Sequence, residues 1–276
     1  MSEVLANVVE SQLGDVNGAY STVELLGGYL DRNKVLHTTA TVRGLTGHEE
    51  EMLGSKSVPA ADKTDMLLRN CVESLGDVTA KQELAAALID LPMGDRIALL
   101  FGIRMATHGD QFSFEKICPN SSCKKKKLHT VSLLQLEGWC MEEPEIREFV
   151  VTLPSKKVAK CHVATGRDER NRDDLMKRYA AKTVYLMMRV DEIDGVEASA
   201  KMLMDLSAKD RDMLRGYLDD KEPGIESVVD IKCPYCTAEF EVEVDPTSPG
   251  FFSPSAYLSS LNKRSSTSRK RSVFRL

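Results

Sequence analysis

Two close pairs of cysteines constrain this chain more than any other feature. They are Cys118-Pro-Asn-Ser-Ser-Cys123 and Cys233-Pro-Tyr-Cys236. A close pair on a tight turn supplies two thiolates at little loop-closure cost, and two such pairs complete the four donors, about 2.3 Å from the metal, that tetrahedral zinc requires. The spacing therefore predicts one structural zinc per chain on Cys118, Cys123, Cys233 and Cys236, at a site that ties the two halves of the chain together. Four protein ligands leave no open coordination position, so such a metal supports structure and not catalysis. A redox dithiol at Cys233/Cys236 is the weaker reading, because no helix is predicted to start at the second cysteine. Four thiolates on Zn²⁺ carry a charge of about −2. Lys116, Lys124, Lys125, Lys126, Lys127 and Lys232 lie close enough in sequence to offset it. The alternative for this lysine run is a phosphate-contact patch.

The cysteines also sit at matching points of what reads as one diverged internal duplication. Asp90-Leu-Pro-Met-Gly-Asp95-Arg96 aligns with Asp205-Leu-Ser-Ala-Lys-Asp210-Arg211 at an offset of 115. The same offset places Leu99 on Leu214, Gly109 on Gly224, Cys118 on Cys233 and Pro119 on Pro234. Upstream, Leu45-Thr46-Gly47-His48-Glu49-Glu50 aligns with Ala164-Thr165-Gly166-Arg167-Asp168-Glu169 at an offset of 119.

The expected fold is α+β: two related half-domains, each strand, helices, strand and cysteine knuckle, joined at the shared zinc, with extended N- and C-terminal arms. The expected divisions are an N-terminal arm over 1–36, a first half over 37–141, a second half over 146–252 and a basic tail over 253–276. A strand over Thr39–Leu45 opens the first half, whereas a hairpin, Phe149–Leu153 and Val158–Val163, opens the second. Thr46-x-x-Glu49 and Thr165-x-x-Asp168 each fit a capping box, in which hydroxyl and carboxylate satisfy orphan backbone N–H groups. Leu175, Met176, Tyr179, Ala180, Val184, Met187 and Met188 recur at helical spacing, predicting a long helix that ends near Asp194-Gly195. Its methionines read as core filler. Further helices are expected from Asp95 to Gly109 and from Ser207 to Pro223-Gly224. Short strands over Phe112–Ile117 and Ser227–Ile231 then deliver the first cysteine of each pair.

The remaining chemistry-bearing residues point away from an enzyme. Cys71, Cys140 and Cys161 are isolated, and Cys71 fits the apolar face of a helix. His37, His48, His108, His129 and His162 show no paired ligand spacing. There is no P-loop, no GxGxxG after a strand and no GxSxG. Asp95 and Asp210 read as acids favouring a helix dipole. The first residues contain no basic, apolar signal sequence, and no apolar run is long enough to span a bilayer. A net charge of −5 argues against nucleic acid as a general partner. The tail is the exception: Lys263, Arg264, Arg269, Lys270, Arg271 and Arg275 alternate with serine and threonine, a composition suited to binding partner proteins.

Taken in order, Leu-Thr-Gly-x-Glu-Glu, Leu-Pro-Met-Gly-Asp-Arg, Cys-Pro-x-x-x-x-Cys, Cys-Pro-Tyr-Cys and Gly250-Phe251-Phe252 resemble the baseplate hub or hub-assembly proteins of T-even-type contractile bacteriophages, relatives of which are described as tail assembly chaperones. The resemblance spans about Val35 to Phe252. It implies a late structural or assembly protein of the viral tail, made in the host cytoplasm and located at the virion baseplate. The implied partners are hub, tape measure or wedge proteins, with no small-molecule substrate and no catalytic residues. The competing reading is a zinc-ribbon protein that binds nucleic acid or associates with transcription, favoured by the cysteines, the lysine run and the basic tail.

Overall fold

The computed structural model describes residues 20–55, 58–248 and 250–252. The sequence expectations for the first 19 residues and for Lys263, Arg264, Arg269, Lys270, Arg271 and Arg275 lie outside them.

Strands β1 (Tyr20–Leu30) and β2 (Leu36–Arg43) open the first half as an antiparallel hairpin. The Asp31 carboxylate closes the turn by accepting the Asn33 and Val35 N–H groups. Helix α1 (Gly47–Gly54) starts at the Thr46/Glu49 capping box. Helix α2 (Ala60–Cys71) runs into β3 (Val72–Leu75), which completes a sheet of order β1-β2-β3. Helices α3 (Lys81–Asp90) and α4 (Met93–His108) follow, and α4 stops at Gly109, whose φ of 75° favours glycine. Strands β4 (Gln111–Ile117) and β5 (Lys126–Ser132) then form a hairpin with the first cysteine pair at its tip.

The second half follows a similar order with additional short elements. Strands β7 (Glu148–Thr152) and β8 (Val158–His162) make a hairpin, preceded by the short β6 (Gly138–Trp139). The Thr165/Asp168 capping box starts α5 (Gly166–Glu169), followed by α6 (Arg172–Met176) and α7 (Ala181–Met187). Strands β9 (Val190–Ile193) and β10 (Val196–Glu197) extend the sheet to β10-β9-β8-β7. Helices α8 (Ala200–Asp205) and α9 (Ala208–Lys221), then β11 (Gly224–Ile225), lead to a second hairpin, β12 (Val228–Lys232) and β13 (Glu239–Glu243), with the second cysteine pair at its tip.

Individual contacts recur between the halves. Arg96 Nη1 donates to Leu88 O at 2.8 Å, and Arg211 Nη1 donates to Leu203 O at 2.8 Å. Arg43 bridges Glu49 and Glu73, while His162 bridges Asp168 and Asp191 at the corresponding places.

Each half has its own apolar core. The first gathers Val23, Leu26, Val42, Leu68, Leu99 and Ile103, among others; the second gathers Val151, Leu153, Leu186, Ile193, Leu214 and Leu218. Cys71 and Cys161 are fully buried in them. Val244, Phe251 and Phe252 belong to the first core, although they lie at the end of the second half in sequence.

Three sequence expectations are corrected. Residues 20–36 are not part of an arm: β1 is an integral strand, and its Val23, Leu25 and Leu26 are buried. Alternation was hidden by a bulge between Glu24 and Tyr29, where the register shifts and Gly28 takes φ 73°. Both halves therefore open with a hairpin. The long helix to residue 194 is instead α6, α7 and β9. Val190 and Ile193 pair with Cys161 and Ala159 on β8. Asp194-Gly195, both with positive φ, form the tight β9–β10 hairpin turn and not a helix cap. Met188 is buried, but Met176 is exposed, so the methionine stripe is only partly core.

The halves also meet away from the cysteines. β6 pairs with β11, Arg96 reaches Glu169, and Arg147 donates to the carbonyls of Gly27 and Gly28. Gly94 is required where the halves touch, since a Cβ there would lie 2.1 Å from Pro223 O. Among the described residues no helix is long and apolar enough to cross a membrane.

Candidate metal centre

The two knuckles are built alike. Each cysteine pair sits on the turn of a two-stranded antiparallel hairpin, one between β4 and β5, the other between β12 and β13. In the first, the Cys118 N–H donates to Lys125 O and the Cys123 N–H to Asn120 O. In the second, the Cys233 N–H donates to Ala238 O and the Thr237 N–H returns to Cys233 O. The residue after the second cysteine turns left-handed in both, Lys124 at φ 46° and Thr237 at φ 60°.

The four thiols converge. All four Sγ atoms lie within 4.8 Å of one another. Two close separations cross between hairpins: Cys118 to Cys236 is 3.6 Å and Cys123 to Cys233 is 3.9 Å. A disulfide needs about 2.05 Å. Four sulfurs about 2.3 Å from one tetrahedral zinc would lie about 3.8 Å apart. The arrangement is compatible with a metal site of four soft donors. Cys118 and Cys233 are buried, and Cys123 and Cys236 are partly so.

Burial pushes the Cys118 thiol up to about 12. Cys233 is drawn down to about 7 by the Tyr235 backbone N–H, assisted by that of Cys236. Asn120 Nδ2 donates to Cys236 Sγ at 3.7 Å. Thiol ligands must deprotonate to bind, and a cation among them drives that loss.

The hairpins support the cluster through their flanks. His129 meets Phe240 edge-on with centroids 6.0 Å apart and stacks on Phe114. Lys125 lies 4.6 Å over the Tyr235 ring. Two lysines of the run are paired within their own hairpins, Lys126 with Glu115 and Lys232 with Glu239.

Buried polar residues tie segments that are distant in sequence, and one of them, Arg96, bridges the halves. Asp95 is fully buried and accepts the Leu26 and Gly27 N–H groups of β1, so its role is not confined to its own helix dipole. Burial raises its carboxyl to about 6. Arg96 pairs with Asp65 and Glu169. Arg189 pairs with Glu222 at 2.8 Å and lies 3.8 Å over Tyr185. Both arginines line a cavity of about 360 Å³ between the halves. Arg104, with no exposed surface, donates to the carbonyls of Phe251, Gly109 and Gln111. Only the Asp-Arg repeat offered a sequence signal for any of these; the others depend on partners far away in the chain. No family model, curated protein or solved structure matches the chain.

Proposed function

We propose that this protein is a zinc-clamped structural or assembly component of a contractile phage tail baseplate hub, binding protein partners such as hub, tape measure or wedge proteins. The observation that carries the structural role is the convergence of four thiols from two hairpin tips, one from each half. A zinc there is fully coordinated by protein and serves to fix the hairpins. The phage reading rests on the ordered motifs, and each has a structural task that would keep it recognisable. Thr46 and Glu49 cap α1, Gly94 and Asp95 seat α4 against the opposite half and against β1, and Phe251 and Phe252 fill the first core.

We also infer that the halves descend from one duplicated unit. Matching sheet order, matching capping boxes, the paired Arg96–Leu88 and Arg211–Leu203 contacts and the two knuckles support this. On that reading the zinc sits at a pseudo-symmetric junction, where it reinforces an interface made elsewhere.

The functional test is a mass-spectrometric inventory of purified tails and tail-assembly intermediates made with this chain present, alongside capture of tail proteins by the tagged full chain. The expected result is this chain in one or both particles at fixed stoichiometry. An inert monomer, absent from tails and intermediates alike, refutes the reading.

A further inference from the structure

The two cysteine-bearing hairpins carry opposite charge in places that their own folding does not explain. In the β4–β5 ladder Lys116 stands directly opposite Lys127. In the β12–β13 ladder Asp230 stands directly opposite Glu241, with Glu243 next along the same face. Directly opposed like charges destabilise a strand pair. All five side chains are exposed. Among the described residues none of the five forms an ion pair, and no ion pair joins one hairpin to the other.

Geometry explains why a single molecule does not neutralise them. The inward face of the second hairpin is apolar: Val229 opposes Val242 and Ile231 opposes Phe240, with Ile231 and Val242 buried. Asp230, Glu241 and Glu243 alternate with these residues and so face outward, away from the first hairpin. The lysines gather instead at the knuckle end, where Lys124 also makes no ion pair among the described residues and Ile117 is 61% exposed. A surplus of positive charge remains there even with a tetrathiolate zinc in place. Six lysines face two paired carboxylates and the site charge of about −2.

We propose that a second copy of this chain docks on this end of the molecule. The lysine end of each copy lies on the acidic β12–β13 face of the other. Such a contact is self-complementary about a two-fold axis, so each opposite-charge contact forms twice. It satisfies both like-charged pairs at once, whereas a polyanion would satisfy only the lysines. Nucleic acid is the poorer occupant for two further reasons: the Tyr235 ring is already covered by Lys125, and the chain carries a net charge of −5. The dimer rests on surface charge and not on the phage reading or on the metal.

The test is sedimentation of the full chain at about 50 mM and about 500 mM salt, where the screening length falls from near 14 Å to near 4 Å. Wild type should dimerise at low salt and weaken by about tenfold or more at high salt, the sum expected of several exposed pairs. Lys116→Glu/Lys127→Glu and Asp230→Lys/Glu241→Lys should each be monomeric alone, yet form a heterodimer when mixed. Unchanged circular dichroism and zinc content establish that both variants fold. The neutral Lys116→Gln/Lys127→Gln should weaken the dimer less than the charge reversal does. A wild type that stays monomeric at low salt, variants that self-associate as well as wild type, or a mixture with no heterodimer overturns the proposal. So does a monomer that binds a single-stranded oligonucleotide through Lys116 and Lys127.

Discussion

Replacing Cys233 with serine tests what the proposed zinc does for the fold. The substitution removes one of four donors and should abolish stoichiometric zinc. The cross-hairpin links span 118 residues from Cys118 to Cys236 and 110 from Cys123 to Cys233. Closing a loop of that length is worth at most about 4.9 kcal/mol of unfolded-state entropy. For a chain of 276 residues, unfolding entropy near 2 cal/mol/K per residue converts this ceiling into about 8 °C of Tm. In the folded chain, β6–β11 pairing, Arg96–Glu169 and the return of Phe251 and Phe252 hold the halves together independently of the cysteines. Neither apolar core contains a ligand cysteine. Cys233→Ser should therefore remain folded at 25 °C, with disorder confined to residues 111–132 and 228–243. Zinc analysis, a circular dichroism melt and hydrogen exchange on those two hairpins read this out. Global unfolding of Cys233→Ser at 25 °C would show that the reasoning undervalues the metal. Absence of zinc from wild type made under reducing conditions would remove its premise.

Other perturbations probe the frame around the site. His162 is raised to about 9, first by its contact with Asp168 and then by Asp191; its folded value lies above its unfolded value near 6.5. Its contribution, up to about 3 kcal/mol, is therefore fully present below about pH 6.5 and lost as pH rises through 9. Urea titrations between pH 6 and 10 should show this loss in wild type and a flatter profile in His162→Gln; parallel profiles would exclude the ion triad as its source. Gly94→Ala places a Cβ 2.1 Å from Pro223 O, a backbone atom that cannot rotate away, and should cost about 2 kcal/mol or more. A neutral result in chemical denaturation would mean the halves separate readily there. Phe251→Ala removes a fully buried ring that meets Phe101 edge-on and packs on Phe112. It should cost about 3–5 kcal/mol, measured by the same titration, and a loss below 1 kcal/mol would argue that residues 250–252 are not part of the first core.

Much of the site was readable because its signals are local. A cysteine pair on a turn, a threonine three residues before an acid, and a glycine at a helix end each act within a few residues, so spacing alone locates them. Cys118, Cys123, Cys233 and Cys236, the two capping boxes and the Gly109 helix stop are of this kind. The failures occurred where distant partners outweighed local pattern. Residues 175–188 carry helical periodicity, yet the following Val190–Ile193 gains more by joining β8 than by extending a helix. Asp-Gly at 194–195 can end a helix or turn a hairpin, and only the neighbouring strand decides between them. Strand β1 was obscured by its bulge and is held in the core by Asp95, nearly seventy residues on.

The amino-acid sequence alone determined the pairing of four cysteines into two turns and the matching landmarks that precede each turn, because those features depend on residue identity and short spacing. The tertiary structure decided that the four sulfurs converge, and that the halves meet through β6–β11, Arg96–Glu169 and the return of Phe251 and Phe252 to the first core. It also set opposite charge on the two hairpins facing different ways. These outcomes depend on which apolar faces are buried against each other, and that choice is made by the whole chain at once.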